Sequence, residues 1–224
     1  MIILFQIAYQ VLLWVTNRFL IKNKKAKVLF LILSIVALAF WGIQYGFDSF
    51  LAISLIILFV CPAAAYLMYF VSLLIVGTKF EKKNIFPFEC FRYKGKLFRM
   101  FRNESLRNVF SSTYEELLYR WFLFNAILLL TRSSILSVGI TAAVFFAIHI
   151  NKEKAIVQHI DILVFSFFIT VIFAFTRNPI YCILIHILRN QLVICQKYVY
   201  IKRENDRKLE LFKIIRNRRQ INEQ

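Results

Sequence analysis

The chain has 224 residues, 60% of them hydrophobic, with a mean hydropathy of +0.64, a balance beyond that of an ordinary soluble domain. Lys and Arg outnumber Asp and Glu by 29 to 12, for a net charge of +17. Beside apolar spans this excess is explained by cytoplasmic loops facing anionic lipid, and a nucleic-acid partner is not needed.

Residues 1–21 are apolar apart from Gln6, Gln10 and Asn17–Arg18, with no basic start and no small-residue cleavage site, so they read as a retained span. A basic loop follows at 22–27, then a second span at 28–47. The third span, 50–76, is interrupted by Cys61-Pro62, and a proline there predicts a kink. Residues 79–107 are the longest polar stretch. They carry nine Lys/Arg interleaved with Phe86, Phe88, Phe91, Tyr93, Phe98 and Phe101, a mixture suited to a segment lying in the headgroup layer.

The fourth span is 112–130. A TRSS turn follows, in which Ser133 or Ser134 can cap the fifth span, 135–150. The sixth span is 160–175. Thr176-Arg177-Asn178-Pro179 forms a tight turn before the seventh, 180–199, with proline placed to start the helix. The tail, 202–224, reads as an amphipathic helix at the cytoplasmic surface or as a frayed end. The basic loops at 22–27, 79–107 and 151–158 and the tail alternate with sparsely charged loops at Asp48, Arg132 and Arg177. That alternation predicts an all-α transmembrane bundle of seven spans, with the N-terminus outside and the C-terminus in the cytoplasm. Four cysteines (Cys61, Cys90, Cys182 and Cys195) show neither C-x-x-C pairing nor metal-ligand spacing, so no disulfide and no cysteine-based metal site is expected.

The fourth span holds two glutamates and an arginine at membrane depth, where charge persists only when paired or used. Glu116 and Arg120 are four apart and share a helix face, so they can neutralise each other. Glu115 is turned about 100° away and is left available. Two other readings compete: acidic residues suit a helix N-terminus, and a capping box is matched. Ser112-x-x-Glu115 and Thr113-x-x-Glu116 both match a capping box that would start a helix there.

Three further polar groups lie in later spans. His149 stands near the cytoplasmic end of the fifth, one turn from Phe145 on the same face, and His186 and Asn190 share a face of the seventh. Taken singly, His149 suits a membrane boundary and His186/Asn190 an interhelical hydrogen bond. Taken together, all can open to the cytoplasmic half of the membrane. A carboxylate and an imidazole can hold and deprotonate a water. A second imidazole and an amide can stabilise an oxyanion. The same side chains could instead ligate a metal with water in an open position. No HExxH is present, which excludes the usual zincin helix.

Three stretches resemble the CAAX protease and bacteriocin-processing family (CPBP, also called Abi). EELLYR (115–120) matches its EExxxR motif, FFAIH (145–149) its FxxxH motif and HILRN (186–190) its HxxxN/D motif, all in family order. The resemblance covers about 111–192. It implies an intramembrane endopeptidase, related to the prenyl-protein endopeptidases that remove the last three residues after a lipidated cysteine. It implies that Glu115 and His149 activate water, that His186 and Asn190 stabilise the oxyanion, and that Glu116 and Arg120 support them, with Phe145 completing its motif. The family is named as metalloproteases, which would give Zn2+ on Glu115, His149 and His186, while a metal-free glutamate mechanism is the competing view. Arg189, within the HILRN stretch, is an extra buried charge for which Asp161 is the candidate partner.

The expected organisation is three spans and a basic interfacial loop over 1–108, a catalytic helical core over 109–200 and a basic cytoplasmic tail over 201–224. The expected partners are membrane lipid and a membrane-associated protein or peptide substrate, with the plasma membrane as the location. The main rival is a non-catalytic relative, a membrane scaffold or immunity protein, which would have no need of ionisable groups in apolar spans. A transporter is disfavoured because no inverted repeat or paired broken helices are visible.

Overall fold

The computed structural model describes residues 55–77, 87–92, 94–151 and 155–222, and the isolated positions 32 and 36. The spans expected at 1–21 and 28–47 otherwise lie outside the described residues, as do the basic loop at 22–27 and residues 79–86 of the longer one. Among the described residues all regular structure is helical. Helix α1 is Leu55–Val76, and a short 3-10 turn spans Phe88–Arg92. Helix α2, Gly95–Glu116, runs into a π-helical stretch, Leu117–Leu123, and on into α3, Phe124–Thr131. Helices α4, Ser134–His149, and α5, Ile156–Thr176, follow. The last helix, α6, is Pro179–Asn222.

Three of these helices are long and apolar enough to cross a membrane, over Phe59–Val76, Ile156–Thr176 and Pro179–Glu210; α4 is a shorter apolar helix. Their outward surfaces carry large apolar side chains such as Phe59, Ile135, Leu163, Phe167 and Phe175, all exposed. That surface suits lipid, and the chain is an integral membrane protein. In lipid such side chains lose little by exposure, so close packing and polar ties between helices carry the association.

The packing centres on the π-helical stretch. Leu117, Leu118, Tyr119, Trp121, Phe122 and Phe124 are buried against Phe145 of α4, Phe165, Ile169 and Phe173 of α5, and Cys182 and Ile185 of α6. On α1 the small residues Cys61 and Ala65 are fully covered, which lets α6 approach; Cys61 Sγ lies 4.0 Å from the Tyr181 carbonyl. A second cluster joins Cys90 and Phe101 to Ile194, Cys195, Tyr198 and Val199.

Local signals set most helix ends. Arg132 and Arg177 adopt positive φ, 56° and 53°, and end α3 and α5 by returning their N–H groups to Leu128 and Phe173. The Ser133 hydroxyl accepts the Leu136 N–H at 3.3 Å and starts α4. Asn178 Oδ1 accepts the Ile180 N–H at 2.9 Å beside Pro179 and starts α6.

Three expectations need correction. The helix that carries the fourth span does not begin at Ser112. No helix breaker follows Gly95, and one continuous rod runs from it to Thr131, so residues 95–107 of the supposed loop are its first turns. The capping boxes therefore do not form. The Ser112 hydroxyl donates to Asn108 Oδ1 at 3.0 Å and the Thr113 hydroxyl to the Val109 carbonyl at 2.8 Å, both inside the helix. The tail is likewise no separate element. Through residue 222 it is the continuation of α6, helical as expected and supported by Lys202–Asp206 and Lys208–Glu204 pairs one turn apart.

Candidate active site

Glu115 and Glu116 stand at the end of α2, immediately before the helix widens. The widening is marked by the Phe124 N–H, which reaches back five residues to the Tyr119 carbonyl. Such stretches occur often at functional sites. The face of α2 that carries the glutamates is tied to α6 two turns earlier, where Asn108 Nδ2 donates to the Ile187 carbonyl at 3.1 Å.

Glu116 and Arg120 are both fully buried and pair at 3.2 Å. The other contact of Glu116 was not legible in the spacing. Its Oε1 meets His186 Nδ1 at 2.6 Å. Arg120 also lies 4.0 Å above the Phe145 ring and reaches the Ser166 carbonyl and hydroxyl, each at 3.5 Å. Ser166 is in turn fixed by donating to the Ala142 carbonyl at 3.0 Å. Arg120 thus joins the glutamate helix to α4 and α5. An unpaired charge at such a place would be costly.

Glu115 turns the other way. Its Oε2 lies 3.7 Å from His149 Nε2 and 3.9 Å from His186 Nε2. Both separations exceed a hydrogen bond. The Glu115 side chain is 24% exposed and that of His149 28%, whereas His186 is 4% exposed, so the cluster has one closed wall and one open one. His149 Nδ1 faces the Phe145 carbonyl at 2.8 Å. A carbonyl can only accept, so this nitrogen carries a hydrogen and Nε2 is the lone-pair side of the neutral ring. His186 is arranged in the same sense, with Nδ1 on the Glu116 carboxylate. Phe145 stacks on the His149 ring at 4.3 Å, and Phe165 meets the edge of His186 at 4.9 Å. Both rings therefore turn Nε2, and Glu115 its Oε2, toward one small volume, where the Nε2 of His186 accepts when the ring is neutral and donates when it is protonated.

That volume suits a water molecule, which can lie between a carboxylate and an imidazole and lose a proton to either. Among the described residues no three His, Cys, Asp or Glu side chains are close enough to hold a metal ion as they stand. The donor types of Glu115, His149 and His186 nonetheless suit zinc, and the orientation of each ring through Nδ1 is the arrangement expected of histidines that ligate through Nε2. The 3.7 and 3.9 Å separations are a little wider than the roughly 3.3–3.4 Å between ligands of a tetrahedral zinc with bonds of ~2.0–2.1 Å. A small contraction would complete such a set.

Of the residues singled out in the sequence, Glu115, Glu116, Arg120, Phe145, His149 and His186 are brought together. The Asn190 side chain makes no hydrogen bond to them among the described residues. It stands one helical turn beyond His186, with Oδ1 held by Arg189 Nη1 at 2.9 Å. Asp161 is the partner of Arg189, as anticipated. Sequence reasoning missed Phe165 and Ser166. Both lie in an apolar run, where neither a phenylalanine nor a serine stands out.

Residues 105–192 match the family model described as Type II CAAX prenyl endopeptidase Rce1-like. The matched segment runs from α2 into α6 and contains all three motifs. No curated protein and no solved structure matches the chain.

Proposed function

We propose that this chain, which carries an Rce1-like membrane-protease segment at 105–192, is an intramembrane endopeptidase that hydrolyses a peptide bond of a membrane-associated protein or peptide. The observation that carries the reading is the approach of Glu115 Oε2 to both His149 Nε2 and His186 Nε2, at 3.7 and 3.9 Å. Glu115 and His149 hold one water. Glu115 takes its proton as the oxygen attacks the scissile carbonyl. The oxygen of that carbonyl becomes an oxyanion, which receives hydrogen bonds from doubly protonated His186 through Nε2 and from the Asn190 amide. Glu116 supports this form of His186 by accepting from Nδ1, and Arg120 keeps Glu116 in place. Collapse of the intermediate expels the amine, and the proton on Glu115 passes to it.

A zinc-dependent version is the second reading, favoured by the commitment of both Nδ1 atoms. Glu115, His149 and His186 would hold the ion, which would polarise the carbonyl and acidify its bound water.

The topology that goes with this reading has seven spans, the C-terminus in the cytoplasm and the site open to the cytoplasmic half of the plasma membrane. It is supported by the distribution of Lys and Arg among the loops. The substrate class we propose is a CAAX-type C-terminal peptide carrying a lipid on its cysteine. The test is cleavage of farnesylated and unlipidated peptides of this type by purified wild-type and Glu115→Gln protein. Release of the terminal fragment by wild type alone is expected. Equal release by both proteins would defeat the assignment.

A further inference from the structure

We infer that Arg189 is a positioning residue, held by Asp161 and Ser72, that turns the amide of Asn190 so that its NH2 group is the end offered to the reaction. The inference rests on the endopeptidase reading above and adds Arg189, an x position of the third motif, with Asp161 and Ser72 from outside the motifs.

The geometry is a fork. Arg189 Nη1 donates to Asn190 Oδ1 at 2.9 Å. Nη2 donates to Ser72 Oγ at 2.8 Å and to Asp161 Oδ2. Ser72 closes the circuit by donating to Asp161 Oδ1 at 2.6 Å. The guanidinium lies 5.0 Å above the Phe165 ring, the same ring that meets His186. Arg189 and Ser72 are buried, at 9% and 6% exposure, so the network is built in rather than laid on the surface.

Chemistry fixes the orientation of Asn190. A guanidinium has no acceptor, so the atom it meets must be the carbonyl oxygen and not the amide nitrogen. The NH2 group is then the unengaged end, and among the described residues it makes no hydrogen bond. It sits on the face shared with His186, four residues before it. An asparagine turned the other way would offer a lone pair to a developing negative charge and would oppose the reaction. Arg189 removes that alternative in advance, which is how a preorganised donor gains its advantage.

The competing account is that the network is only glue, since Ser72, Asp161 and Arg189 come from α1, α5 and α6. A lysine separates the two. Its ammonium is a point charge without the planar fork. It can stay on Asp161 but cannot hold Asn190 at the same time in the same geometry. A cavity of about 340 Å³, lined by Ser72, Gln158, Asp161 and Gln196, opens beside the pair and gives a lysine room to be accommodated.

The experiment is a double-mutant cycle on cleavage of the farnesylated peptide, with Arg189→Lys, Asn190→Ala and the double variant. Both kcat and KM are measured, together with the melting temperature in detergent. Arg189→Lys is expected to keep its melting temperature and KM while kcat falls at least ~10-fold, and by no more than the ~10²–10³ that loss of one oxyanion donor costs. In the Asn190→Ala background it should change kcat no further, since there is no amide left to turn. An unchanged kcat in Arg189→Lys, or the same fractional loss with and without Asn190, would overturn the inference. Should Arg189→Lys fail to fold, Asp161→Asn is put through the same cycle, with the same two outcomes deciding. A wild-type protein that cleaves none of the peptides would overturn the endopeptidase reading itself, a failure distinct from an active wild type whose Arg189→Lys variant is equally fast.

Discussion

Glu116 touches His186 at 2.6 Å across 70 residues of chain, and through it the paired glutamate reaches the site instead of standing behind it. The spacing of Glu116 and Arg120 suggests a self-contained ion pair. The structure makes it a three-member chain, Arg120 to Glu116 to His186, closed to solvent at every member.

Removing Arg120 should therefore do two things. Arg120→Ala leaves Glu116 buried with its charge uncompensated, which typically costs about 3–5 kcal/mol. It also frees the carboxylate that orients His186. The expected result is low abundance and a depressed melting temperature in detergent. A normal level and a normal melting temperature would show that the pair does not carry the fold.

Glu115 is the opposite case. Ser112 and Thr113 bond within α2 rather than capping it, so Glu115 is not needed to start a helix. Glu115→Gln should keep abundance and melting temperature near wild type. As the general base is lost, cleavage should fall by ~10²–10⁴ or more. Asn190→Ala should be milder, ~10²–10³ in kcat. Cleavage rates and thermal unfolding of the two variants beside wild type check the order. An active Glu115→Gln protein would remove the base from the mechanism.

The metal question has its own test. In the direct mechanism, EDTA or 1,10-phenanthroline should leave the cleavage rate of purified protein unchanged within about twofold. In the zinc reading, chelation abolishes activity and added zinc restores it. Stoichiometric zinc in active purified protein, read by elemental analysis, would decide for the second.

Topology can be checked without activity. Single cysteines replacing Lys94 and Arg218, in a background lacking the four native cysteines, should be labelled by a membrane-impermeant maleimide only after the cells are opened. Lys94 immediately precedes α2, and Arg218 lies far along α6 beyond its apolar section. Labelling of either in intact cells would reverse the orientation.

Much of the site was legible because intramembrane charge is conspicuous. Glu115, Glu116, Arg120, His149 and His186 stand out against apolar runs, and spacing of four residues places Arg120 with Glu116 without any tertiary knowledge. The starts of α4, at Ser133 or Ser134, and of α6, at Pro179, were legible for a similar reason, since capping and proline placement are local chemistry. The start of the glutamate helix was not. Composition changes from polar to apolar near residue 111, and that change marks depth in the membrane rather than a break in backbone hydrogen bonding. The π-helical stretch was equally hidden, because Leu117–Leu123 has no Gly or Pro to mark it. The partners that reach across helices, Glu116 to His186 and Arg189 to Ser72, depend on how helices pack and have no local signature.

The unbroken length of α6 has a mechanical consequence. Its 44 residues make a rod of about 66 Å at 1.5 Å per residue, roughly twice the thickness of a bilayer's hydrocarbon core. His186 and Asn190 stand near its start, and its far part is more polar and longer than a bilayer crossing requires. A stiff rod conveys torque, so whatever grips or twists the far end acts on the orientation of both side chains. A fusion joined rigidly to that end is then a handle on the site, whereas one joined through a flexible linker is not.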